Sequence, residues 1–152
     1  MKKIVILVGV IAMFILGACA PASPTPAPAP KIAVEGAWGR PSPMIAQAGA
    51  FYMTIRNTGT VADKLTAGKS SACGAVELHE SYMMANGAMG MRMVTGGTID
   101  IPASGQVELK VGGLHIMCID KKTELNDGVK LPLTLVFEKS GQVNVQVEIR
   151  AQ

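Results

Sequence analysis

The chain is 152 residues long, 49% hydrophobic and only 4% aromatic, with 14 basic and 11 acidic residues. That length suits one principal domain with one hydrophobic core once a leader is set aside. Lys2 and Lys3 fall in that leader, so the rest of the chain is close to neutral; no basic stripe marks a nucleic-acid surface and no acidic run marks a tail.

Lys2 and Lys3 are followed by an apolar run from Ile4 to Leu16 and then by Leu16-Gly17-Ala18-Cys19. The run is shorter than the roughly 20 residues needed to span a bilayer. Small residues just before a cysteine are the pattern that lipoprotein signal peptidases read. Residues 1–18 are therefore expected to be a removable signal peptide. Cys19 is expected to carry lipid and to hold the chain on the outer side of a bacterial cell membrane. From Ala20 to Pro30 nearly every residue is Pro, Ala, Ser or Thr. Residues 19–30 thus form a lipidated cysteine and a semi-rigid polyproline-like spacer, able to hold a domain about 30 Å from its anchor.

Residues 31–152 form the domain, and they read as all-β. Alternation runs through Ala50–Arg56, Ala75–His79, Val107–Val111, Leu131–Glu138 and Val143–Arg150. Turn signals separate them at Asn57-Thr58-Gly59, Asn86-Gly87, Ala103-Ser104-Gly105, Gly112-Gly113 and Ser140-Gly141. No window sustains a helical period. Short strands at this spacing indicate a sandwich or barrel with Greek-key connections. Pro132 suits a strand start or an edge better than a central strand. Cys73 and Cys118 lie in the domain. An oxidising compartment permits them to pair, but nothing in the sequence brings them within bonding distance, and they are expected to remain unpaired.

The domain has two histidines, His79 and His115, and Met83, Met84, Met89, Met91 and Met93 crowd one window. Met117 lies two residues past His115, which in a strand puts both side chains on one face and turns Cys118 to the other. Thioethers are neutral soft donors that favour Cu(I), whereas zinc sites are more often thiolate, imidazole and carboxylate. Methionines also serve as flexible core filling. It is His115-x-Met117 beside a second histidine and a methionine run, in an exported chain, that points to metal. One local feature opposes this. A two-residue Asn86-Gly87 hairpin would pair Met84 with Met89, Tyr82 with Met91 and His79 with Val94, turning His79 away from Met91 and Met93. A site using them requires a longer loop, an irregular strand or a bulge, for which Gly90 is a plausible position.

Ala37-Trp38-Gly39-Arg40-Pro41, Gly49–Gly59, Val76-Glu77-Leu78-His79-Glu80, Ile101–Gly105 and Gly112-Gly113-Leu114-His115-Ile116-Met117 together resemble the PCu(A)C-type periplasmic copper chaperones. The resemblance covers roughly Lys31 to Arg150. It implies a cupredoxin-like Greek-key β-sandwich binding one Cu(I) through two histidines and two methionines. The family pattern is a histidine, a variable position, ten residues, a methionine, twenty-one residues, then His-x-Met. His79, Met91, His115 and Met117 fit it, except that the stretch between Met91 and His115 is longer by two. Met93 restores that spacing but breaks the upstream one, so it is the alternative to Met91. The resemblance further implies delivery to the binuclear copper centre of cytochrome c oxidase subunit II, alongside a Sco-type thiol protein. A histidine- and methionine-rich C-terminal tail that binds Cu(II) in some members is not expected here.

Two other readings compete. An electron-transfer cupredoxin needs a cysteine thiolate ahead of its last histidine and methionine, and Cys118 follows both. A plain β-sandwich lipoprotein would use the methionines as core. An enzyme is not expected: two histidines cannot build a multi-histidine active site, and no strand–turn–helix elbow marks a nucleophile.

Overall fold

The structure, a computed structural model, describes residues 27–42 and 46–151. The expected signal peptide, Cys19 and the spacer as far as residue 26 lie outside the described residues. Ten strands follow in chain order: β1 (Ile32–Gly39), β2 (Ala48–Asn57), β3 (Asp63–Lys69), β4 (Cys73–Met83), β5 (Met89–Met93), β6 (Ile99–Ile101), β7 (Gly105–Leu109), β8 (Leu114–Lys121), β9 (Lys130–Phe137) and β10 (Gly141–Ile149). A single 3-10 turn at Thr95–Gly97 is the one helical element among the described residues. The all-β expectation holds, with a cupredoxin-like fold.

The strands form one hydrogen-bonded path in the order β5-β4-β8-β2-β1-β10-β9-β3-β6, with β7 also paired to β2. Every pairing is antiparallel except β1 with β10, where Trp38 faces Glu148 and Gly39 faces Ile149. Long β2 carries β8 along its first half and β7 along its second. The path folds back on itself, so that β3 near one end lies against β4 near the other. A Cβ added to Gly68 would stand 2.5 Å from Val76 Cγ1, and any side chain there would hold the two layers apart.

Period-2 patterning fills the space between. On β9, Leu131, Leu133, Leu135 and Phe137 are buried, while Lys130, Pro132, Thr134 and Val136 are not. Leu65, Leu78, Ile116, Cys118 and Ile149 meet them in one core. Burying each large aliphatic chain contributes about 1.5–3 kcal/mol, so the core is what makes the sandwich stable. Pro132 lies within β9, which is flanked by β10 and β3, but β3 ends at the Lys69–Thr134 pair. At Pro132 the strand is locally an edge, with Ser70 Oγ donating to the Pro132 carbonyl at 2.7 Å.

One expectation is overturned. Cys73 and Cys118 form a disulfide, their Cα atoms 5.3 Å apart across a sequence separation of 45. The pairing of β4 with β8 brings them together: Val76 lies opposite Cys118 and Cys73 opposite Lys121. Without the strand order, no feature of the sequence announces that proximity.

Candidate metal centre

The hairpin joining β4 to β5 decides which side chains share a face. Met84 N–H donates to the Ala88 carbonyl at 2.8 Å, and Gly87 N–H donates to the Met84 carbonyl at 2.9 Å. The loop is therefore three residues, Ala85-Asn86-Gly87, with Gly87 in the left-handed region at φ 81°. This is a turn followed by a left-handed glycine, the usual three-residue hairpin, rather than a two-residue Asn-Gly turn. The pairing shifts by one. His79 lies opposite Met93, Ser81 opposite Met91 and Met83 opposite Met89. A one-residue shift in register exchanges the two faces of a strand, so Met91 and Met93 join His79 instead of turning away. Gly90 is not a bulge: it pairs directly with Tyr82, whose ring lies across it, 2.8 Å from where a Cβ would be.

On the other side of β4, His79 lies opposite His115 and Glu77 opposite Met117. The result is a row of rings on the sheet face away from the core. Trp38 stacks on Tyr52 with centroids 4.6 Å apart, Tyr52 lies 6.3 Å from His115, and His115 lies 5.9 Å from His79. Met93 continues the row onto β5. Met117 lies one step along it beside Glu77, and Met91 one step the other way beside Ser81. Diagonal neighbours across antiparallel strands are about 7–8 Å apart at Cα, within reach of two long side chains.

The imidazoles are oriented by hydrogen bonds on one nitrogen each. His79 Nε2 meets Glu77 Oε2 at 2.8 Å, and His115 Nδ1 meets the Gly113 carbonyl at 2.9 Å. With those nitrogens donating, His79 Nδ1 and His115 Nε2 carry the lone pairs. Both are buried and without a hydrogen-bond partner. A buried acceptor left unpaired costs about 1–3 kcal/mol, a cost that a bound cation would relieve. Outer hydrogen bonds that fix tautomer and ring direction are the usual companions of metal-ligating histidine. Burial pushes His115 below the ordinary histidine pKa; the Gly113 carbonyl works against this and the neighbouring His79 ring adds to it.

A cleft of about 250 Å³ opens this region to solvent, with Arg40, Tyr52, Met89, Met91 and His115 on its walls. Met91 thus shares the cleft with His115, whereas Met93 faces His79 directly. Among the described residues no group of three or more His, Cys, Asp or Glu could hold a metal ion. The side chains that share the histidines' face include the thioethers of Met91, Met93 and Met117. Cys118 is in the core and in a disulfide, so it supplies no thiolate of the blue-copper kind. Sequence reasoning singled out the two histidines and the methionines but not Glu77, the Gly113 carbonyl or the Trp38–Tyr52 wall. The alternation Glu77-x-His79 was the one visible signal for Glu77.

Comparison with known proteins places the chain in a family. A family model described as "Putative lipoprotein LpqE-like" matches residues 32–149. The PCuAC domain of PmoF1, solved in its apo form, is 30% identical with a TM-score of 0.68, over 80% of this chain and 95% of that one. The chain belongs to the LpqE-like family of PCuAC-type proteins. A second PCuAC domain, from PmoF2 and solved with copper bound, is 26% identical with a TM-score of 0.66, over 80% and 94% of the two chains. The solution structure of CuI-DR1885 from Deinococcus radiodurans is 28% identical with a TM-score of 0.57, over 88% and 83%. A putative lipoprotein of Leifsonia xyli subsp. xyli is 33% identical over 101 residues, 66% of this chain. This PCuAC-type chain spans about 60% of the length of the curated relatives it matches.

Proposed function

We propose that this domain is an extracytoplasmic copper chaperone that holds one Cu(I) through His79, Met91, His115 and Met117. The observation that carries the reading is the pair of buried, unpartnered imidazole nitrogens, His79 Nδ1 and His115 Nε2, on the sheet face that also bears the methionines. Imidazole and thioether donors are all neutral, so the bound ion keeps its single positive charge and no proton need be displaced. Such a set favours Cu(I) over zinc or hard cations. Three of the donors lie on β4 and β8, which the disulfide ties together; Met91 lies on β5, the end strand of the path. Met91 is 64% exposed, so one ligand stays open to exchange with an acceptor. That arrangement suits a carrier better than a catalyst. Copper-bound and CuI relatives support the choice of cargo.

The acceptor proposed is the binuclear copper centre of cytochrome c oxidase subunit II, with a Sco-type thiol protein as companion, and the anchor proposed is lipid on Cys19. The test is an anaerobic Cu(I) titration against a competing chelator. One equivalent should bind tightly, and His115→Ala should abolish that step while the apo fold is retained. Tight binding that survives His115→Ala would remove the histidine pair from the site.

A further inference from the structure

Among the described residues, five large hydrophobic side chains are exposed, and four of them are Met83, Met89, Met91 and Met93, at 54–64%. All four belong to one face of the β4–β5 hairpin. The opposite face is satisfied: Arg92 Nε meets Glu80 Oε1 at 2.8 Å, and its guanidinium lies over the Tyr82 ring at 4.7 Å. The methionine face has no such cover. Exposing long apolar chains runs against the hydrophobic effect, and if filling were the purpose these side chains would be buried.

Met83 and Met89 are directly opposite one another. Side chains so paired have Cβ atoms about 4.5–5.5 Å apart, a gap across which two thioether arms can close on one soft ion. Met89 also lines the cleft that reaches His115, with Met91 next to it on the same face of β5. The geometry points to a second Cu(I) site at Met83 and Met89, a receiving site at the hairpin end that feeds the His79–His115 centre through Met91. It rests on Cu(I) as the cargo but not on the identity of the four inner donors. Two exposed thioethers hold the ion more weakly than a set with two buried imidazoles, so transfer inward is downhill. The step is ligand exchange: each sulfur lets go as the next binds, copper stays Cu(I), and no electron or proton moves.

The experiment uses the full chain in detergent, labelled with 13C at the methionine methyls and 15N at the imidazoles. Cu(I) is supplied anaerobically as its acetonitrile complex. Two equivalents should bind in sequence. The first should shift the His79 and His115 nitrogens, and the second, weaker one should shift the Met83 and Met89 methyls. The double variant Met83→Leu with Met89→Leu, a volume-conserving change, should take up one equivalent with unaltered affinity and load it more slowly. Met84→Leu, on the opposite face, should change nothing. Saturation of the unaltered chain at one equivalent would overturn the proposal, as would a second equivalent that leaves the Met83 and Met89 methyls unmoved or persists in the double variant. Silent imidazoles with responding Met83 and Met89 methyls would instead refute the four-donor centre and leave the hairpin site standing.

Discussion

Met91 and Met93 stand two residues apart on one face of β5 and meet different neighbours. Met93 is opposite His79, while Met91 shares the cleft with His115. With Met91 as the ligand, Met91→Leu should weaken Cu(I) binding by more than the about 10- to 100-fold that losing an outer-shell partner costs. Met93→Leu should change it little. The opposite result in a chelator competition would transfer the ligand to Met93. His115 adds a pH dependence to the apo protein. In the unfolded chain its imidazole takes up a proton around its ordinary value of 6.5; in the fold, burial delays that to lower pH. Between those points the unfolded state binds more protons, so stability falls as pH drops through 6.5 and levels off below the folded value. Urea midpoints from about pH 7.5 to 5 should therefore decline less in His115→Leu than in the unaltered chain. Equal slopes would mean that His115 titrates normally in the fold.

At the scale of the element, the β4–β5 loop is where sequence reading and structure part. The alternating runs of β2, β4, β7, β9 and β10 were legible because half-buried strands carry their own period. β3 and β5 were not. Asp63-Lys64-Leu65-Thr66-Ala67-Gly68-Lys69 holds two lysines and a glycine, and Met89-Gly90-Met91-Arg92-Met93 buries almost nothing. The candidate donors were readable from the residues, but whether Met91 and Met93 share a face with His79 depended on one residue of loop length that Asn86-Gly87 does not reveal. Two deletions separate length from register. Removing Ala85 leaves Asn86-Gly87 between Met84 and Ala88, keeps their pairing, and should preserve Cu(I) affinity. Removing Ala88 brings Met89 opposite Met84, turns Met91 to the Tyr82 face, and should cost affinity as heavily as Met91→Leu. Equal affinities for both deletions in the same competition assay would mean that β5 contributes no ligand.

Across the whole molecule, one covalent link ties together the two strands that carry the histidines. The Cys73–Cys118 disulfide closes a loop that contains the entire hairpin and β5 to β7. Replacing both cysteines by alanine should lower stability by about 2–4 kcal/mol, measured by guanidinium unfolding. A loss under about 0.5 kcal/mol would show that the cross-link restrains little. Cys19→Ser should release the chain from membranes with Cu(I) affinity unchanged. Variant protein remaining in the membrane fraction would rule out lipid as the anchor. The spacer reaches the sandwich at a definite place: Lys31 N–H donates to Asn57 Oδ1 at 2.9 Å, and Ile32 pairs with Asn57.

That entry point sets the reach of the protein. The row of rings ending at His79 starts from Trp38, at the far end of β1 from Ile32. At about 3.3 Å per residue the row lies about 20 Å beyond the point where the spacer docks. If Cys19 carries the proposed lipid, the proposed copper site stands at the end of β1 farther from where Lys31 joins the sheet. The height at which copper changed hands would then be set by a stretch of proline-rich chain and one β-strand, before any acceptor was met.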